Sequence, residues 1–186
     1  AEYSTLLSLF QNSFSTELLS NISPESQLLS YENTVSGNIS FNLTQGAYYI
    51  LSVGGSATLC FNSSNCNHDA LYAWSQQSSN NYLYIDTLTY EYIGPVFPDY
   101  ESYYLKYSVP NNFHVINSDY NEFHEYWFLL EGTSSEIGFS FLDEPNAESD
   151  NYGDLNFNLY EIPQSLIYNL LYYGCMDSCI KSYPTI

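Results

Sequence analysis

Residues 142–162 read L-D-E-P-N-A-E-S-D-N-Y-G-D-L-N-F-N-L-Y-E-I. From Asp154 onward Leu155, Phe157 and Leu159 alternate with Asn156, Asn158 and Tyr160. Period two is the pattern of a strand with one face in a core and the other in water. Similar segments run through the middle of the chain: Asn38–Leu43, Ala47–Val53, Tyr82–Tyr92, Ser102–Val109, Glu125–Leu130, Glu136–Leu142 and Asp154–Glu161. Gly54-Gly55, Gly94-Pro95, Pro110-Asn111-Asn112 and Gly132 punctuate them as turns. Short strands without helical segments between them predict an all-β antiparallel sandwich or jelly roll over residues 31–162, not a βαβ fold.

The two ends read differently. In residues 1–30, Leu6, Phe10, Phe14 and Leu18 recur every fourth position, as on an amphipathic helix. Tyr3, Thr5, Leu7 and Leu9 alternate, as in a strand. Periodicity leaves both open for this N-terminal extension, and Pro24 marks a joint after it. In residues 163–186, Pro163 ends the last strand. Leu166, Ile167, Leu170 and Leu171 then form a short helical apolar face, with Gly174 as its C-terminal cap.

At 186 residues, 45% hydrophobic and mean hydropathy −0.23, the chain is long and apolar enough for a packed core. No apolar run is long enough for a spanning helix. No basic leader precedes Ala1, so any signal peptide is expected to have been removed. The charge balance is extreme: Lys106 and Lys181 face 21 Asp and Glu, for a formal charge of −19 at pH 7. Nucleic acid is therefore excluded as a partner, because phosphate binding needs Lys and Arg. Such an excess of carboxylates suits neutralisation by Ca²⁺ or life in acid, where the charge collapses; an ordinary acidic secreted protein fits equally. The 21 tyrosines suit core edges and interfaces, with glycan contact as the alternative.

Cys60/Cys66 and Cys175/Cys179 are candidate disulfide partners, within or between the two pairs, and point to an extracellular location. Their spacing matches no standard zinc site. Sequons place candidate glycans at Asn21, Asn38, Asn42 and Asn62. His68, His114 and His124 belong to no catalytic motif: G-x-S-x-G, H-E-x-x-H and phosphate loops are lacking, and an enzyme is not expected. His124 and Glu125 are strand neighbours facing opposite ways, so sequence does not make them a dyad.

The loop before the last strand carries the sharpest motif. Asp143, Asp150 and Asn151 offer the oxygen ligands that Ca²⁺ takes, and Gly153 permits a turn into the strand; a solvated acidic loop reads the same. Its spacing resembles the calcium-dependent galactose-binding PA-I type of bacterial lectin, a small β-sandwich. That resemblance spans about residues 37–162 and includes "GAYYILSVGGSATL". It implies Asp143, Asp150 and Asn151 as side-chain ligands to calcium, and Ala147 and Leu59 as carbonyl ligands. It also sets "NHDA", with His68 and Asp69, near a sugar-contacting position. Asp150 and Tyr152 stand where the family has Asn and Ser.

In composition and layout the chain also resembles the glycosylated subunits of archaeal surface threads from hot acid habitats. This implies an extracellular homopolymer whose N-terminal segment, through Tyr3, Leu7 and Leu9, adds a strand to the next subunit. The expectation is thus a filament subunit, with a secreted Ca²⁺-dependent carbohydrate-binding module as the alternative.

Overall fold

In the computed structural model, the described residues are 2–30, 39–58, 67–74, 83–84, 88–92, 112–133, 136–141 and 152–174. An antiparallel β-sandwich forms the body, as the alternating segments predict. The principal sheet centres on the strand quoted above, β12 (Tyr152–Glu161), flanked by β1 (Glu25–Ser30) and β3 (Tyr48–Gly54). Beyond β3 lie β10 (Glu125–Glu131) and β9 (Phe113–Val115). The second sheet orders β2 (Ile39–Phe41), β11 (Ile137–Phe141) and β8 (Leu88–Tyr92). A ladder of short strands, β4 (Ala57–Thr58), β5 (Asn67–His68), β6 (Tyr72–Trp74) and β7 (Leu83–Tyr84), continues from the start of β12.

β3 is buried on both faces, and its alternate residues serve two cores. Tyr49, Leu51 and Val53 join Leu155, Phe157 and Leu159 of β12 between the two sheets. Phe139 from β11 packs there, 5.0 Å from Phe157, and Phe113 stacks on Phe128 at 5.1 Å. Tyr48 and Ile50 point the other way, where Leu129 and Tyr160 extend a second apolar surface. Helices cover that surface, so the molecule has three layers.

Helix α1 (Glu2–Ser13) is the first cover. Of the two readings left open for the segment with Tyr3, Leu7 and Leu9, a donated strand or a helix, it is helical here and packs on the sheet. As a strand, Leu6 and Phe10 would face away from Tyr3, Leu7 and Leu9. As a helix, Tyr3, Leu6 and Phe10 fall on one buried stripe, with Leu7 and Leu9 half-buried beside it. Three bonds fix its start. Tyr3 Oη donates to Leu129 O at 2.8 Å and lies 2.9 Å from His114 Nδ1, and Tyr48 Oη donates to Glu2 Oε2 at 3.1 Å. With the Tyr3 hydrogen on Leu129, the Nδ1–H of His114 is the donor to Tyr3.

A 3₁₀ turn at Thr16–Leu19 adds Leu18 and Leu19 to this layer. Helix α2 (Gln164–Tyr173) adds Ile167 and Leu170, and Gly174 ends it in the left-handed conformation with its N–H on Leu170 O. That is the cap expected at Gly174. β1 was not expected within the sheet. Only Leu29 of its residues is buried, so it carries no alternating pattern; its place comes from pairing with β12, Glu25 opposite Leu159 through Ser30 opposite Asp154. β4, β5, β6 and β9 also escaped notice, since two or three residues cannot display a period. The predicted strand Ser102–Val109 lies outside the described residues.

Candidate functional site

On the helix-covered side of the sheet, β9 and β10 are joined by Ile116–His124, and this loop faces the C-terminal end of α1. Between them is a groove of about 580 Å³, within the usual range of a small-molecule site. Asx turns shape the loop: Asn117 Oδ1 accepts from Asp119 N at 2.9 Å, and Asn121 Oδ1 from Phe123 N at 2.7 Å. These bonds leave each amide NH₂ unused, so both keep two donors. Gln11 Nε2 donates to Val115 O at 3.3 Å and ties the helix end to β9.

One wall of the groove is apolar. Trp127 is half-buried on β10, with its ring 6.0 Å from that of Phe14, which is in turn edge-on to Phe10. Polar groups make up much of the rest: the amides of Gln11, Asn12, Asn117 and Asn121 and the carboxyls of Asp119 and Glu125, beside the hydroxyls of Ser13, Ser15 and Thr16. Glu125 Oε1 accepts from Ser52 Oγ at 3.3 Å, so one of its oxygens is held by the sheet. Among the described lining residues, none carries a positive charge.

Behind the groove, on the opposite face of β10, lies a buried carboxylate. Asp69 follows β5 and is 0% exposed. Its Oδ1 accepts from Leu71 N at 2.9 Å. Its Oδ2 accepts from Tyr126 Oη at 2.8 Å and is 2.8 Å from His124 Nδ1. Burial, and then the bond to Asp69, hold the Tyr126 phenol well above the usual range. The same phenol oxygen accepts from Asn121 N at 3.3 Å, and His124 N donates to Asn121 O at 2.9 Å. His124 sits at φ 57°, a left-handed conformation that β-carbon-bearing residues seldom adopt. Its carbonyl accepts from Gly55 N at 3.1 Å, and Tyr120 packs edge-on to its ring.

Asp143, Asp150 and Asn151 lie outside the described residues, as do Leu59, Ala147, Cys60, Cys66, Cys175, Cys179, Asn38 and Asn62. Asn21 and Asn42 are described and exposed. Of the "NHDA" segment, Asp69 is the buried hub rather than a surface contact. Sequence reasoning missed the groove. "FHEYW" held His124, Glu125 and Trp127, but nothing local links His124 to an aspartate 55 positions away. The Asn-x-Asp and Asn-x-Phe spacings of the loop were the one usable signal, as Asx turns.

No helix among the described residues is long and apolar enough to cross a membrane. No family model matches the chain, and no curated protein matches it. A solved structure similar to it is the EclA N-terminal domain, a PllA-like lectin. The two are 12% identical over 73% of this chain and 94% of that one, with a TM-score of 0.40.

Proposed function

We propose that the protein is a carbohydrate-binding module and that its site is the groove between α1 and the Ile116–His124 loop. The observation that carries this is the meeting of Trp127 and Phe14 with four side-chain amides and two carboxyls in one concave surface. A saccharide presents an apolar C–H face and pairs of adjacent hydroxyls. Aromatic rings take the first. Planar amides and carboxylates take the second, because each offers two hydrogen-bonding atoms at hydroxyl spacing. Asp119, Glu125 and a chain charge of −19 repel anions, so the ligand class is neutral glycans rather than uronic or sialic acids. Aromatic faces beside amides and carboxyls are binding chemistry, which favours a binding role.

An extracellular setting accompanies this reading, and the exposure of Asn21 and Asn42 as glycan acceptors supports it. Filament growth by a donated N-terminal strand does not, because α1 is spent on its own sheet.

The test is titration with neutral mono- and disaccharides, with glucuronic acid as control, followed by NMR or calorimetry. Trp127→Ala should weaken binding at least about tenfold while the fold persists, since Trp127 is half-exposed. Binding that EDTA abolishes and Trp127→Ala leaves intact would move the site to Asp143, Asp150 and Asn151. No binding of any neutral glycan would end the proposal.

A further inference from the structure

We infer that Asp69 is the positioning residue of the groove: its buried carboxylate, acting through Tyr126 and His124, sets the rim loop from the far face of β10. The inference rests on the groove being the binding site. Neighbours on a strand face opposite ways. Tyr126 therefore turns inward to Asp69, while Glu125 and Trp127 turn outward into the groove.

The Asn117 turn and buried Ile116 hold the first half of the loop. The loop leaves β9 after Val115 and re-enters the sheet at Glu125, and its polar residues face solvent. Its second half is held at Asn121, whose N–H is taken by the Tyr126 phenol and whose carbonyl is taken by His124 N–H. Both Tyr126 Oη and His124 Nδ1 end on the same oxygen of Asp69. A completely buried carboxylate accepting a phenol, an imidazole and a backbone N–H is a rigid anchor, because each bond is strengthened by exclusion of water.

The backbone at His124 points the same way. At φ 57° glycine is relaxed and asparagine is tolerated, whereas histidine is strained. A turn with no other task would favour those residues. The contact of the imidazole with Asp69 offsets that strain. Asn121, which lines the groove, is thus placed by a carboxylate on the far face of β10.

The experiment compares wild type with Asp69→Asn, His124→Gly and His124→Asn in the full chain. It reads amide exchange at Asn121 and Gly55, affinity for the neutral disaccharide that wild type binds best, and melting temperature. Asp69→Asn should speed exchange at Asn121 by about tenfold or more, and should weaken the disaccharide by a similar factor. His124→Gly relieves the left-handed strain, so its melting temperature should fall less than that of Asp69→Asn, yet it should show the same losses in exchange protection and affinity. His124→Asn should recover part of both, because its amide can donate toward Asp69. A His124→Gly protein with unchanged Asn121 exchange overturns the inference, even if Asp69→Asn fails to fold. Should wild type bind no neutral glycan, the carbohydrate reading falls, and the exchange data alone still decide whether Asp69 orders the loop.

Discussion

Replacing Leu6 by alanine removes a side chain with no exposed surface from the middle of α1. It packs in the cluster formed with Tyr48, Ile50 and Leu129 of the sheet and Ile167 and Leu170 of α2. The sheet cannot collapse into the space, because β3 is held by β12 on one side and β10 on the other. The cost therefore includes an unfilled cavity, and about 3 kcal/mol is expected, inside the roughly 2–5 kcal/mol range of buried Leu→Ala changes. For a domain of this size that corresponds to a fall of about 6–12 °C in Tm. Ser8→Ala, on the exposed side of the same helix, is the control and should stay within about 0.5 kcal/mol of wild type. Both are read by thermal and urea unfolding at several protein concentrations. If α1 covers its own sheet, the Leu6→Ala loss is independent of concentration. A loss below about 1 kcal/mol, or a Tm that climbs with protein concentration by mass action, would refute the intramolecular packing and restore an exchanged N-terminal segment.

Other consequences are open to direct measurement. Gly55 sits at φ +99°, and a β-carbon there would lie 2.7 Å from Asp154 O, so Gly55→Ala should cost about 1–3 kcal/mol of unfolding free energy, read by urea denaturation. Burial lowers the pKa of His114 from its ordinary 6.5, so the folded state prefers the neutral ring. The unfolded chain then takes up a proton first as pH falls below about 6.5, and stability drops until the folded ring is protonated too. His114→Gln should lose less stability than wild type between pH 7 and pH 5; parallel curves would dismiss His114 as a source of acid sensitivity.

The strands β3, β10, β11 and β12 were legible because each is long enough to show which residues share a face, as in Ile137, Phe139 and the Leu155–Phe157–Leu159 set. The cap at Gly174 was legible for a similarly local reason: a helical apolar stripe followed by the one residue that relaxes at positive φ. The ends were not. Residues 2–13 carry both a helical and an alternating pattern, and the choice was made by an apolar sheet face, Tyr48, Ile50 and Leu129, that needed a wide cover. β1 enters the sheet through backbone pairing that leaves almost no mark on its side chains.

The site was the least legible part. Its wall, Trp127 and Phe14, and its anchor, Asp69 and His124, come from segments far apart in the chain, and each residue alone looks ordinary. Local patterning decides which face of an element is apolar, because that depends on neighbours two to four positions away. Which faces meet, and which polar groups are thereby buried against one another, depends on the free energy of the whole packed body, and only the tertiary structure decided it.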